Sequence, residues 1–262
     1  MIFDTHAHYD DESFDGDRDE LIQSLLDNGV GTVVNISATV KSCYDTLELT
    51  RKYEHVYGAL GVHPEGLDDL NDEVLNKIKT LCLENSVKNG GKIVAVGEIG
   101  LEYSYDIDKD LQKKWFKDQI KMASEVGLPI VVHSRDAAKD TYDIMSETGC
   151  DRIGGIVHCY SYSKEMADQF IDMGFHIGVG GVLTFKNAKK LVEVCEHIPL
   201  ERIVLETDCP YLSPMPFRGK RNDSTRIIYV AEKLAGIKGI STDEVIKTTE
   251  ENANRVYGIC QH

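Results

Sequence analysis

Short apolar runs rich in β-branched residues alternate along the chain with longer stretches whose apolar positions recur every three or four residues. The runs are MIFDTHAH (1–8), GTVVNIS (31–37), HVYGALGVH (55–63), KIVAVGEIG (92–100), PIVVHS (129–134), GGIVHC (154–159), FHIGVGG (175–181) and ERIVLETD (201–208). Their length and composition predict strands. The stretch 18–29 has apolar residues at 21, 22, 25 and 26, a helical spacing, and ends at Gly29. The stretch 110–127 reads the same way and ends at Gly127, with Pro129 opening the next run. Helix 163–174 has a serine cap and a glycine stop, and helix 241–258 follows the last strand. Alternating strands and helices predict a parallel sheet with helices outside, and eight strands is the number that closes a barrel. The expectation is therefore an α/β fold, one (β/α)8 TIM barrel spanning 1–262 as a single domain, with an additional C-terminal helix. A doubly wound open sheet is the alternative, but no GxGxxG follows an early strand.

The polar residues that end these runs change the picture. In such a barrel the chemistry sits at the C-terminal ends of the strands. The first run supplies His6 and His8, the third His63, the fourth Glu98, the fifth His133, the sixth His158 and the eighth Asp208. Residues two apart on a strand share a face, so His6 and His8 can grip one ion. A single strand-end histidine is more often a hydrogen-bonded structural residue. Five imidazoles and two carboxylates converging on one mouth would be costly unless something paired them, and a metal pair is the natural partner. Glu98 is read as a carboxylate bridging two cations rather than as a cap, with Gly97 and Gly100 allowing close approach of backbone or substrate. Asp208 is either a turn residue or a ligand and proton acceptor. Glu206 supports the site from the same face, whereas Cys159 and Cys209 are read as small apolar fillers facing away. The remaining histidines, His55, His176, His197 and His262, lie at strand starts, after a helix or at the chain end.

Composition narrows the class. The net charge of -15 argues against a broad basic grip on duplex nucleic acid, although bound cations can supply positive charge locally. Seven cysteines without a CxxC, and no secretory leader or membrane-length apolar run, point to reduced thiols in a cytoplasmic protein with no membrane attachment and no evident obligate protein partner. Two basic features stand out in this acidic chain. Arg135 follows His133 by two residues, and the run RGKRN (218–222) follows the last strand. Both are placed to reach a phosphate or carboxylate at the mouth.

With these residues in view, the sequence resembles the TatD-type metal-dependent deoxyribonucleases within the amidohydrolase-like barrel superfamily. The matching segments are FDTHAH, GVHP, GEIGLEY, PIVVHSRDA, HCYS, ETDCPYLSP, RGKRN and NANRVYG, and they run from residue 3 to 258. The resemblance implies two divalent metal ions per chain, with His6, His8 and Asp208 holding one, His133 and His158 the other, and Glu98 bridging. It implies that His63 contacts the scissile phosphate region and that Arg135, Arg218, Arg221 and Asn222 contact substrate. It also implies 3′→5′ exonuclease action on single-stranded DNA or RNA, with nucleic acid as partner only in the sense of substrate. Two departures from the family pattern are Glu102, where Asp is common after GEIGL, and Asp223-Ser224, where Glu-Pro is common after RGKRN. Both bear on substrate preference rather than on the metal ligands.

The expected mechanism is two-metal activation of water, with Asp208, Glu98 and His63 as the catalytic groups. Four imidazoles with two carboxylates suit Zn²⁺ or Mn²⁺ better than an all-oxygen Mg²⁺ site, and family usage includes Mg²⁺. An alternative enzyme reading is amide or ester hydrolysis, such as deacylation of D-aminoacyl-tRNA. Superfamily members of that kind often bridge their metals with a carboxylated lysine, where this chain has Glu98. A non-catalytic metal-binding scaffold is a third reading, and the open His-rich mouth speaks against it.

Overall fold

The computed structural model describes residues 1–259. Cys260, His262 and the end of the expected 1–262 domain lie outside the described residues. The apolar runs form β1 (Ile2–Ala7), β2 (Val30–Ile36), β3 (Val56–Ala59), β4 (Ile93–Glu102), β5 (Ile130–Arg135), β6 (Gly155–Val157), β7 (Phe175–Val179) and β8 (Ile203–Leu205). They pair in sequence order, every neighbour parallel. The last strand returns to the first. Thr5 Oγ1 donates to Leu205 O at 3.0 Å, and a parallel bridge joins Ala7 to Cys209. The fold is the expected TIM barrel.

The helices are α1 (Arg18–Ser24), α2 (Val40–Lys52), α3 (Asp72–Asn85), α4 (Lys109–Val126), α5 (Ala138–Thr148), α6 (Lys164–Asp172), α7 (Lys189–His197), α8 (Ile227–Lys238) and α9 (Thr242–Tyr257). Strand alternation divides the core into two shells. Phe3, Val34, Val94, Val131, Ile156 and Val204 fill the barrel interior. Their neighbours, Val33, Ile130, Val132 and Ile203 among them, face outward onto helix residues such as Phe116, Ile120, Phe170 and Leu234.

Helix α9 closes the end at which the strands begin. Its Ala253 and Tyr257 belong to the inner shell. The Tyr257 hydroxyl donates to Thr5 O at 2.9 Å, and its ring lies 6.0 Å from that of Phe3. Buried Asn252 donates from Nδ2 to Leu200 O and Ile203 O, each at 2.8 Å. A polar side chain so buried is stable only with such partners.

Four expected elements end earlier in the structure. The helix expected over 18–29 stops at Ser24, because residues 25–29 turn sharply and Gly29 takes φ 82°. The strands expected over 55–63, 154–159 and 201–208 end at Ala59, Val157 and Leu205. His63, His158 and Asp208 therefore stand beyond the ladder, on irregular backbone where their direction is set by local bonds.

Candidate metal centre

Strand parity aims most of the cluster. Val131, Ile156 and Val204 face inward, and two residues further along each chain path come His133, His158 and Glu206. At β4 the strand must pass very close to β5. Gly100 has φ 150°, and a side-chain carbon there would collide with His133 O. Gly178 on β7 leaves room for the Glu206 carboxylate, which a Cβ would overlap. Cys159 (φ 44°) and Asp208 (φ 56°) adopt left-handed backbone just past their strands, a conformation that costs about 1–2 kcal/mol for a non-glycine residue. Asp208 is held there by its N–H to His6 O at 2.9 Å, and Cys159 by its N–H to Glu206 Oε1 at 2.7 Å.

These constraints gather the imidazoles around Glu98. One carboxylate oxygen, Oε2, lies 3.3 Å from His6 Nε2 and 3.9 Å from His8 Nε2. The other, Oε1, lies 2.7 Å from His133 Nδ1 and 3.9 Å from both His63 Nε2 and His158 Nε2. The Nε2 atoms of His6 and His8 are 3.1 Å apart, and Asp208 Oδ1 is 3.3 Å from His8, 3.6 Å from His158 and 3.8 Å from His6. The donor atoms of His6, His8 and Asp208 all fall within 4.8 Å of one another, as do those of His63, Glu98 and His133. His133 Nδ1 and His158 Nε2 both lie near Glu98 Oε1, at 2.7 and 3.9 Å. The cluster opens into a cavity of about 370 Å³ lined also by Asp10, Asp11, Thr39, Glu65 and Tyr211.

The second ring nitrogens carry information about the first. His8 Nδ1 sits 2.8 Å from Ile36 O, and because a carbonyl only accepts, that nitrogen holds a proton and Nε2 faces the cavity. His158 Nδ1 lies 3.0 Å from Glu206 Oε2, so a carboxylate backs this ring as well. His63 is the reverse case. Its Nδ1 accepts from Glu65 N–H at 3.2 Å, so the neutral ring carries its proton on Nε2 and presents a donor to the cavity.

Electrostatics follow the same division. Burial pushes His63 down to about 4, so it stays neutral. Burial acts the same way on the other rings, but Asp208 lifts His8 to about 10, Glu102 and Glu98 lift His133 to about 9, and Glu206, Glu98 and Asp208 lift His158 to about 9. Burial works against the charge on Glu98, yet His158, His6 and His133 hold it well below the usual carboxylate range. The carboxylates thus draw positive charge onto the imidazoles around them, a role that bound cations can take over. Nitrogen and carboxylate donors aimed at common points fit a divalent transition ion or zinc, with His8 Nδ1 fixed by Ile36 O. His6 Nδ1 is buried and has no hydrogen-bond partner among the described residues.

The expected substrate contacts fall in different places. Arg135 is exposed at the end of β5. Arg218 is exposed beside a second cavity, its guanidinium 4.5 Å over the Phe185 ring. Arg221 is committed to a bidentate pair with Asp17 at 2.7 and 2.6 Å. Asn222 is fully buried and donates to Thr207 O at 3.0 Å, which places it behind the Asp208 turn rather than against a ligand.

Three features were missed or misread in the sequence. Glu102 touches the cluster: its Oε2 is 3.1 Å from His133 Nε2, and its Oε1 accepts from Ser104 N and Oγ. Parity was the available signal, since 98, 100 and 102 share a face. Cys159, expected to face away, turns inward with its left-handed backbone, and its sulfur lies within 4.8 Å of donor atoms of His158 and Asp208. Ser224 belongs to a buried network in which its hydroxyl and that of Thr207 each donate to Asp4 Oδ2 at 2.6 Å. The Asp223-Ser224 departure therefore lies in the anchoring of the Asp208 turn.

The comparisons with known proteins agree with this geometry. The family model described as TatD related DNase matches residues 3–258. The uncharacterised metal-dependent hydrolase YabD of Bacillus subtilis is 42% identical over 260 residues, covering 99% of this chain and 100% of the relative. The uncharacterised metal-dependent hydrolase YcfH of Escherichia coli K12 is 33% identical, covering 99% and 96%. Among solved structures, the crystal structure of the TatD homologue YjjV from Escherichia coli superposes with a TM-score of 0.91 at 30% identity, covering 99% of this chain and 98% of that one.

Proposed function

Because the chain belongs to the TatD-related DNase family and is a metal-dependent hydrolase, we propose that it cleaves phosphodiester bonds of single-stranded DNA or RNA, releasing nucleotides from the 3′ end. The observation that carries this reading is the division of Glu98: its two oxygens face two different sets of imidazoles. If two cations were bound, His6, His8 and Asp208 would hold one, His133 and His158 would hold the other, and Glu98 would serve both.

Two divalent ions, when bound, would lower the pKa of a water molecule and neutralise charge on the phosphate oxygens. The protein's own groups supply the rest. Asp208, at the edge of the cluster, is 17% exposed at its side chain and can accept a proton from the attacking water. The water oxygen bonds to phosphorus as the bond to the upstream O3′ breaks. His63, neutral and carrying its proton on Nε2, donates to a phosphate oxygen or to the departing O3′. The net charge of -15 disfavours a long duplex footprint and suits a local grip at a strand end.

The test is product analysis on 3′-labelled and 5′-labelled single strands, in chelator and after return of Zn²⁺, Mn²⁺ or Mg²⁺. The expected result is stepwise release of mononucleotides from the 3′ end, abolished by chelation and restored by a divalent ion. Undiminished cleavage in chelator would remove the metal from the mechanism. Equally fast cutting of circular single strands would remove the end-directed reading, and turnover of D-aminoacyl-tRNA alone would move the substrate to an ester.

A further inference from the structure

We propose that the cavity next to the metal pocket is a subsite for the nucleobase on the upstream side of the scissile phosphate, an inference that rests on the nuclease reading. This second cavity, about 500 Å³, shares Tyr211 as a wall with the metal pocket. Tyr211 is 55% exposed and its orientation is fixed: the hydroxyl donates to Asp11 Oδ2 at 2.9 Å and its N–H to Asp208 O at 2.8 Å. One ring therefore stands between the two compartments and is tied by its backbone to a proposed metal ligand. Phe185 also lines the second cavity, with the Arg218 guanidinium 4.5 Å over its ring. Flat rings and a guanidinium plane are what a nucleobase stacks on, irrespective of its sequence.

Charge gives the path a direction. The metal pocket is lined by the carboxylates of Asp10, Asp11 and Glu65. The second cavity presents Arg218 and Lys220, neither of which has a carboxylate partner among the described residues, whereas neighbouring Arg221 is used up by Asp17. A strand that continues beyond the scissile bond carries further phosphates, and it is favoured on the cationic side. The terminal nucleoside, which has no phosphate beyond it, is left for the acidic side. The second cavity is also pre-formed. Ser213 Oγ donates to Lys220 O at 2.6 Å, Asn222 N–H to Pro210 O at 2.9 Å, and Met215 N–H to Thr184 Oγ1 at 2.8 Å, so the loop that builds it is cross-braced. This gives buried Asn222 and paired Arg221 a positioning part, with Arg218, Lys220 and the two rings left to touch the ligand.

The experiment uses metal-loaded protein and two short single strands that differ only at the penultimate nucleotide from the 3′ end, one carrying thymine there and one an abasic tetrahydrofuran. The readout is the ratio of kcat/KM for release of the terminal nucleotide. Wild type is expected to favour the thymine strand roughly ten-fold, within the range that stacking of one base supplies. Tyr211→Ala should bring the ratio close to one, and Arg218→Ala should reduce it. Tyr211→Phe, which keeps the ring and loses only the bond to Asp11, should restore it. Because each ratio is taken within one protein, a variant with altered folding or metal content still reports on the subsite. A wild-type ratio near one, or a ratio unchanged in Tyr211→Ala, overturns the subsite while leaving the nuclease reading in place. If wild type releases nothing from either strand with metal bound, the nuclease reading itself has failed and the subsite falls with it.

Discussion

Two histidines of this barrel are equally buried, each 4% exposed, and behave in opposite ways. His158 follows β6 at the mouth, where Glu206, Glu98 and Asp208 overcome burial and lift it to about 9. His176 lies near the start of β7, at the end sealed by α9, where burial and then Arg202 and Arg255 push it down to about 4. Neither His176 nitrogen has a well-aligned hydrogen-bond partner among the described residues. Burial by itself expels charge, and carboxylates bring it back. One end of the barrel thus concentrates anions that require cations, while the other is built to stay neutral. Function and stability are separated along one axis.

The sharpest way to break this contrast is to remove one charge from the mouth. Glu98→Gln keeps the shape and discards the anion that faces both sets of imidazoles. Hydrolysis should fall by roughly a thousand-fold or more, as loss of a two-metal arrangement requires, and metal stoichiometry should drop. The thermal midpoint in chelator should fall, because buried His6, His133 and His158 lose the anion they face. A variant that keeps two metals and near-normal turnover would break the bridging assignment. A smaller effect is expected at His63, whose proton faces the cavity. His63→Ala should slow turnover by roughly a hundred-fold, the scale of a lost proton donor, and retain the metal that His133→Ala loses. Equal metal loss in both variants would make His63 a ligand.

The neutral end gives smaller effects, read as stability. With its pKa held at about 4 against an ordinary 6.5, His176 binds its proton more readily in the unfolded chain. Its contribution is complete above about pH 6.5 and is lost as pH falls through 4, up to about 3 kcal/mol. His176→Gln should flatten the acid loss in denaturant titrations between pH 7.5 and 4.5, and parallel slopes for the two proteins would count against this. The smallest effect belongs to Tyr257→Phe, which removes the bond to Thr5 O at 2.9 Å. It should cost about 1 kcal/mol and leave metal content and turnover alone. A loss of metal in this variant would show that the two ends are coupled.

Most of this design was legible in the residues. The eight runs, their order and the polar residues near the ends of six of them carried both the barrel and the groups at its mouth, because strand parity and strand ends are local properties. What was not legible depended on backbone leaving the ladder. Cys159 breaks parity through a left-handed turn, so its sulfur points to the site instead of away. Asn222 looked like a substrate contact because it stands in a basic run, yet its burial is decided by a carbonyl at Thr207 that only the folded chain brings near. Glu102 was noted as a departure from a pattern, and its contact with His133 needed the register of β4 on β5, in which Glu102 pairs with Arg135 and Gly100 with His133.

Closure of the barrel also has a consequence during synthesis. β1 carries His6, and His8 directly follows it, but its second flank arrives late: Thr5 bonds to Leu205, and His8 N–H to Cys209 O. A chain emerging from the ribosome therefore holds a strand with one open edge while about two hundred residues are added, and Phe3 gains its last neighbour only when Tyr257 is made. Open edges of this kind recruit other strands. The segment that supplies the first two imidazoles is thus open to mispairing in the nascent chain, and a chaperone that shields it would be guarding the metal site before any metal can bind.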